Sequence, residues 1–563
     1  MLATTAQAQV PSTVDSEEQR RRTQEQYQQR MRQTEEPVVK LADGEYVAEQ
    51  ALQLPAESPC FPIKQIHLQL PEQLSESVRA AGAFALPQDK LHFAHSYLQN
   101  YVGTCIGKQG LNLIVQGLGA LILVRGYSTT RIGIPEQDLS SGTLRLSLIP
   151  GMIRRIHIKD AQIRTSTRST FPGQAGTLLN LRDLEQGLEQ LKRVPSLDVE
   201  MQIIPGDTAG ESDVLLDIVQ GKPWKVSVTL DDSGSRSTGK WQAGVQVALD
   251  QPLGLADIFS FGFNSDADRA SDRRSTSGNH FYYALPFGYT ELAFAGSSYD
   301  YQQKIAGQEA DFIWSGRSKN LDVRLSQVFQ RDQMQKNTWQ FKTGKRWSRA
   351  YANDAELGNQ QRHTSFAELS WLHKHYFGRA QLDFNLTQRW GVNWFNGQAD
   401  PPAELRKDDD GSFRYSLQTI DASFIAPFQF ARHSLSWMSS LRAQYSNARL
   451  YASDQFSIGN RYTVRGFDGE LSLAAERGFF LRNEVKLALG GSGTSLYLGL
   501  DLGKVSGPAR SKLAGDKLAG TALGLRGAWG GLQYDIFSAW SLYQPSHFPS
   551  ASPVAGINLS WQY

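Results

Sequence analysis

The chain has 563 residues, 40% of them hydrophobic and 20% charged, and a net charge of +2, without the basic excess of a nucleic-acid-binding protein. Mean hydropathy is −0.40. The best apolar run, Leu111 to Val124, is broken by Asn112 and Gln116 and is shorter than the ~20 residues a membrane helix needs, so a helical membrane protein is excluded. A β-barrel is not, because its strands alternate lipid-facing and lumen-facing residues and look hydrophilic on average. Glycine (50 residues) and aromatics (10%) are plentiful, as tight turns and aromatic girdles require.

At the N-terminus, Ala6-Gln7-Ala8 reads as a small-residue cleavage site with Gln9 opening the mature chain, so residues 1–11 are expected to be a residual processing segment. The charged and apolar parts of a signal peptide do not precede it, which fits a trimmed chain or a start codon placed late. Residues 12–35 read as a helix: Asp15 with Glu18 gives an N-cap and capping box, and Glu, Gln and Arg fill the run to Gln33. It has no apolar face, so it is either solvated or lodged in a water-filled lumen. Residues 36–58 carry Pro37 and Pro55, with Pro59 next, and read as a linker.

Residues 59–150 form one small α/β unit. A strand at Ile63 to Leu70 precedes helical patterns that end with Gln109 to Arg125, and strands at Thr129–Ile134 and Thr143–Ile149 close it. Residues 151–221 repeat the order, with strands at Ile153–Ile158, Val199–Ile204 and Val214–Val219 around a helix at Leu178–Val194. The two cysteines, Cys60 and Cys105, favour one structural disulfide if the chain matures in an oxidising compartment, and two free thiols if it is cytosolic.

From Trp224 to Tyr563 the pattern is all β. In His433–Ser446, Leu435, Trp437, Leu441, Ala443 and Tyr445 share one face, and Ser434, Ser436, Ser440, Arg442 and Gln444 share the other. A soluble sandwich gives the same alternation, but these segments run to the length of tilted membrane strands. Connections also alternate long and short. Phe479–Leu489, Thr494–Gly503, Leu518–Trp529, Leu532–Tyr543 and Val554–Tyr563 read as strands. Turns at Gly490–Gly493 and Gly530-Gly531 are tight, whereas Lys504–Lys517 and Gln544–Pro553 are long. Short turns on one side and long loops on the other mark an outer-membrane barrel, and roughly 340 residues at about 21 per strand give ~16 strands.

The long loop from Asp454 to Arg477 holds Val464-Arg465-Gly466-Phe467 on the extracellular side, five strands before the end. In the strand that carries Gly499-Leu500-Asp501-Leu502-Gly503, the leucines face lipid, and Tyr497, Gly499, Asp501 and Gly503 face the lumen. A loop entering the lumen would set the Arg465 guanidinium on Asp501 with bidentate geometry.

Together and in this order, these motifs resemble the two-partner secretion transporters (the TpsB family), relatives of the barrel-assembly protein BamA. The loop motif VRGF stands at Val464–Phe467, and F/G-x-D-x-G at Gly499–Gly503, with glycine in place of the commoner phenylalanine. Arg125 to Arg131, Pro135 to Leu139 and Gly142 to Leu144 resemble the end of the family's first POTRA domain. The resemblance implies a transmembrane antiparallel barrel at 222–563, POTRA domains at 59–150 and 151–221, and a plug helix at 12–35. It places the barrel in the Gram-negative outer membrane and the POTRA domains in the periplasm. The POTRA domains would capture the N-terminal secretion domain of a large exoprotein by edge-strand pairing, and the barrel would pass it outward. A haemolysin, an adhesin or a contact-dependent inhibition toxin would all fit as cargo.

The further partners expected are outer-membrane lipid and, during biogenesis, the barrel-assembly machinery, which would read the aromatic-ended face of Ile557, Leu559, Trp561 and Tyr563. No nucleic-acid partner and no cofactor is expected, and the chain is expected to act as a monomer.

An enzyme is the first rival reading. His373 and His375 share a strand face and suit the lumen or rim, but no further ligands with metal spacing accompany them, so no metal is expected. There is no Gly-x-Ser-x-Gly motif, and Asp408-Asp409-Asp410 reads as a solvated loop. The second rival is a barrel-assembly factor, which shares barrel and motifs but carries a longer periplasmic array. The third, a passive porin, needs neither the repeats nor the Arg465 loop.

Overall fold

The computed structural model describes residues 53–268, 275–305, 312–402, 404, 410–490 and 493–563. The processing segment at 1–11, the helix read at 12–35, the linker up to residue 52 and Asp408-Asp409 lie outside the described residues.

The first α/β unit opens with the short strands β1 (Phe61–Pro62) and β2 (Gln65–Gln69), followed by β3 (Cys105–Ile106), β4 (Arg131–Gly133) and β5 (Thr143–Ile149). The sheet order is β2-β5-β4, with β2 parallel and β4 antiparallel to β5, while β1 pairs with β3. The helix Lys108–Val124 covers this sheet, burying Ile114, Leu118 and Ile122 among Leu144, Leu146 and Leu148. Its first turn is capped from outside. Glu57 accepts from the backbone N–H groups of Gly107 (2.9 Å), Gln109 (2.8 Å) and Gly110 (2.7 Å). Desolvation pushes the Glu57 carboxyl up, but those three bonds outweigh it, and the group titrates below its ordinary value. Cys60 and Cys105 are bonded beside the β1–β3 pair, with Cα atoms 5.4 Å apart.

The second unit has β6 (Met152–Ile158), β7 (Leu197–Pro205) and β8 (Glu211–Gln220) in the order β6-β8-β7. Its helix runs Leu181–Lys192, three residues later than the spacing suggests. The difference has a local cause: the Asn180 side chain accepts from the Arg182 N–H at 2.8 Å and starts the helix there.

The barrel strands are β9 (Trp224–Asp231), β10 (Gln242–Asp250), β11 (Ile258–Asp266), β12 (Ser275–Phe287), β13 (Thr290–Ile305), β14 (Phe312–Arg331) and β15 (Gln335–Ala352). The two-residue β16 (Ala355–Glu356) only extends β15. Then come β17 (Arg362–Phe377), β18 (Ala380–Val392), β19 (Ser416–Phe430) and β20 (His433–Ser446). The short strands β21 (Phe456–Ile458) and β22 (Leu473–Ala475) pair with each other, outside the barrel sheet. The last strands are β23 (Arg477–Ala488), β24 (Ser495–Ser506), β25 (Lys517–Trp529), β26 (Leu532–Tyr543) and β27 (Val554–Gln562). Without β16, sixteen antiparallel strands circle the barrel, and β27 closes on β9 from Asn558↔Asp231 to Gln562↔Ser227. Closure leaves no unpaired edge, as a sheet in lipid requires.

The helix Leu181–Lys192 also joins the second unit to the barrel. Leu184, Leu188 and Leu191 face its own sheet, and its polar face is buried against the barrel's short turns. Arg331 donates to Glu189 Oε2 at 2.6 Å and Gln186 Oε1 at 2.9 Å, Lys336 donates to Glu189, and Tyr289 donates to Asp183 Oδ1 at 2.6 Å.

The bond between Cys60 and Cys105 spans 45 residues, a loop whose closure is worth about 3–4 kcal/mol on the chain-entropy model. Replacing both cysteines with serine is expected to accelerate hydrogen exchange in the helices His92–Gln99 and Lys108–Val124 while the barrel stays protected. Unchanged exchange there would remove the bond from the stability of this unit.

Candidate functional site: a hairpin folded into the lumen

Residues 447–476, between β20 and β23, form the loop that carries Arg465. Unlike a surface loop, it turns into the barrel as the β21–β22 hairpin. Phe456, Ile458, Val464, Phe467 and Leu473 are buried in a small core with Val505, Leu518 and Phe548. At its bend, the Asn460 side chain accepts from the N–H groups of Tyr462 (2.9 Å) and Thr463 (3.1 Å). That local turn aims the following residues at the wall formed by β23 to β26.

There Arg465 meets Asp501. Its Nε donates to Asp501 Oδ2 at 2.7 Å, its Nη2 to Oδ1 at 2.8 Å, and its backbone N–H to Oδ2 at 3.0 Å. The Arg465 side chain is 4% exposed and that of Asp501 0%. The remaining guanidinium nitrogen, Nη1, donates to Glu484 Oε2 at 2.9 Å. Glu484 also takes Arg526 at 3.2 Å, Arg526 grips Asp535, and Tyr497 donates to Asp535 at 2.9 Å. Arg482 lies 3.9 Å from Asp501 and donates to the Tyr462 carbonyl at 2.9 Å. Three guanidinium groups thus face three carboxylates, and their formal charges cancel around the buried Arg465–Asp501 pair.

Glycines make this approach possible. A Cβ at Gly499 would stand 2.1 Å from Arg465 Nη2, and one at Gly520 only 1.8 Å from the Arg465 carbonyl oxygen. Gly466 has φ +103°, a left-handed conformation that puts its bare Cα against the Trp540 carbonyl. Gly503 lies under Val464 and Ile458.

The hairpin is held elsewhere too. Near its base, Asp454 accepts from Arg346 at 2.9 Å and lies 3.5 Å from Arg389, on the opposite wall. Arg389 also pairs with Glu368, and Lys342 reaches Glu368 at 3.4 Å. Arg461 donates to Asp232 Oδ1 at 2.7 Å in the first long loop. A polar cavity of about 20 Å³ lies between that loop and the hairpin tip, lined by Asp232, Asn460, Arg461 and Asp468 among others, room for about one water.

Sequence reasoning singled out Arg465, Asp501 and their glycines, and missed Glu484, Arg526, Asp535, Gly520, Asp454, Arg346 and Arg389. Period-two parity along β23 could have found Glu484, since Arg482, Glu484 and Lys486 share the face opposite Phe479, Leu481, Val485 and Leu487.

The other candidates lie apart from this cluster. On the C-terminal strand, Trp561 is 44% exposed and Tyr563 58%. Ile557 lies opposite the outward Ile536, and Leu559 opposite Leu230. The Tyr563 ring lies 5.7 Å from Trp224, under the Lys222 ammonium. His373 and His375 sit on the outer face of β17, near the short-turn end, with the exposed Leu369 and Phe377. They are rim rather than lumen residues. His373 bonds Asn337 at 2.8 Å, and among the described residues no group of three or more His, Cys, Asp or Glu is placed to hold a metal.

A family model described as haemolysin secretion/activation protein ShlB/FhaC/HecB matches residues 210–527, and POTRA-domain models match residues 61–151 and 152–205. The outer membrane transporter CdiB-2 of Burkholderia pseudomallei is 41% identical over 514 residues, 91% of this chain and 88% of that protein. The haemolysin transporter protein ShlB of Serratia marcescens is 27% identical over 79% of this chain and 76% of its own length. The solved structure of CdiB from Escherichia coli superposes with a TM-score of 0.84 at 25% identity, covering 98% of this chain and 99% of that one.

Arg465→Ala and Asp501→Asn are each expected to leave a buried partner uncompensated, a cost of about 3–5 kcal/mol, and to lower export at least tenfold while the barrel keeps its heat-modifiable migration. Gly499→Ala is expected to do the same without removing a charge, because its Cβ occupies the guanidinium's place. Normal export in all three would separate the cluster from transport.

Proposed function

The chain belongs to the haemolysin secretion/activation (ShlB/FhaC/HecB) family of two-partner secretion transporters, and we propose that its cargo is an exoprotein of the contact-dependent inhibition class. It is an outer-membrane β-barrel with periplasmic POTRA domains, and it carries a large partner exoprotein from the periplasm to the cell surface. The choice of cargo class is supported by the higher identity to the CdiB-2 transporter than to the haemolysin transporter ShlB.

The observation that carries the mechanism is the hairpin in the lumen, held by ion pairs and packing rather than built into the wall. Arg465 and Asp501, with Glu484, act as the positioning lock of the translocation path. Val464 and Phe467 pack the tip, and Gly466, Gly499 and Gly503 give it room. Residues 12–35 act as a plug at rest. POTRA units at 59–150 and 151–221 take the extended secretion domain of the exoprotein on their exposed strand edges. The attachment of the second unit to the barrel, through Glu189 and Arg331, keeps the captured chain close to the pore mouth. Ile557, Leu559, Trp561 and Tyr563 present an outward apolar edge to the barrel-assembly machinery, and the mature transporter acts as a monomer. Folding of the exoprotein outside supplies direction.

Co-expression with a candidate exoprotein of the contact-dependent inhibition class tests the reading. The exoprotein is expected to become protease-accessible on intact cells only when this chain is present. No dependence, with altered levels of other barrels, would assign the chain to barrel assembly instead. Deleting residues 12–35 is expected to raise single-channel conductance in planar bilayers, and an unchanged conductance would remove the plug assignment.

A further inference from the structure

The outer wall carries a cluster that transport does not use. On β14 the residues that share a face with the exposed Leu321 and Leu325 include Arg317 and Lys319. On β15 those that share a face with Trp339 and Phe341 include Lys345, Trp347 and Arg349. All five therefore point away from the lumen. The strand register brings them together. Lys319 lies opposite Trp347, Leu321 opposite Lys345, and Arg317 opposite Arg349. Lys319 is thus diagonal to both Lys345 and Arg349, roughly 7–8 Å from each.

Their height follows from the strand geometry. Trp339 lies near the periplasmic turn and Trp347 eight residues further up β15, about 26 Å along the strand, or ~20 Å along the normal at a tilt of about 40°. Trp347 therefore marks the extracellular girdle, and Lys319, Lys345, Arg317 and Arg349 sit at the level of the outer-leaflet headgroups. Arg317 pairs with Asp300, and Arg349 lies 3.7 Å from Glu356. Among the described residues Lys319 has no carboxylate partner. Among the described residues, four cations face two carboxylates here, an excess of +2 on a lipid-facing wall.

An aromatic shelf lies below the charges. The Trp394 ring lies 6.5 Å from that of Phe341, and Lys345 donates to the Phe395 carbonyl, which fixes this bend on the outside of the barrel. Trp394 is 45% and Phe395 62% exposed. Aromatic rings at acyl-chain depth beneath a group of cations at headgroup depth suit an anionic lipid rather than water or a neutral one.

We propose that this face of β14 and β15 binds the phosphorylated glucosamine headgroup of the outer-leaflet glycolipid, lipopolysaccharide. Lys319, Lys345 and Arg349 hold its phosphates, and Leu321, Trp394 and Phe395 lie along its acyl chains. The phosphates offset the mutual repulsion of the cations, and the bound lipid fixes the barrel's depth and rotation in the membrane.

The test uses the full chain in phosphatidylcholine nanodiscs, titrated with phosphorylated lipid A and with its dephosphorylated form, with bound lipid counted by native mass spectrometry. The wild type is expected to prefer the phosphorylated form at least tenfold, and Lys319→Gln/Arg349→Gln to lose that preference. Arg379→Gln, at a periplasmic turn, is expected to keep it. Should the double variant fail to show heat-modifiable migration, the single Lys319→Gln, at an exposed position, carries the comparison. Equal binding by wild type and variant, no dependence on phosphate, or equal binding of phosphatidylglycerol would each overturn the proposal.

Discussion

Asp501 is a carboxylate with no exposure, set in the wall of a barrel and facing inward. Such a group is strongly unfavourable unless an opposite charge and several donors meet it. No residue of its own strand can do so, because neighbours on β24 at the same parity are Tyr497, Gly499 and Gly503. The donors come from Arg465, 36 residues earlier. A long loop must therefore fold into the lumen, glycines must clear its path, and Glu484 must take the guanidinium nitrogen that Asp501 does not. Much of the site's geometry follows from that one carboxylate.

Apolar packing and ion pairing divide the work. Five buried apolar side chains of the hairpin, at roughly 1.5–3 kcal/mol each, supply more favourable free energy than the cluster does. Packing tolerates small displacements, however, and the cluster does not, since a shift of one residue leaves two charges buried and unpaired. The ion pairs thus set register while the core holds the hairpin inside. Asp454, bound to Arg346 and Arg389 on the far wall, spans the lumen at the hairpin's base and fixes its direction of entry. On the proposed reading, the obstruction of the path is held by contacts that exchange locally, without unpairing any barrel strand.

Much of this was legible in the sequence, for identifiable reasons. Period-two alternation and the contrast between Gly530-Gly531 and Gln544–Pro553 come from lipid on one face and loops at one end, and both act locally along the chain. The last five strands therefore emerged within a few residues. The lumen orientation of Asp501 followed from the leucines around it. What stayed hidden depends on distant registers. Asp454 and Arg346 are 108 residues apart, and nothing local distinguishes either from a surface charge. The polar face of Leu181–Lys192 reads as solvated until the barrel turns cover it. Gly520 looks like any strand glycine until the Arg465 carbonyl stands where its side chain would be. The histidines of β17 needed the barrel's inside and outside to be assigned before their place on the rim was clear.

The most direct measurement is the accessibility of a cysteine introduced at Thr463, a position 2% exposed at the hairpin bend. Cys60 and Cys105 are bonded to each other and do not compete for the reagent. With Arg465 and Asp501 intact, labelling from the cell surface is expected to be slow. With Arg465→Ala it is expected to rise about a hundredfold or more, the opening equivalent of about 3 kcal/mol. Equal labelling in the two proteins would show that the buried ion pair does not hold the hairpin, and the central place given to Asp501 would be lost.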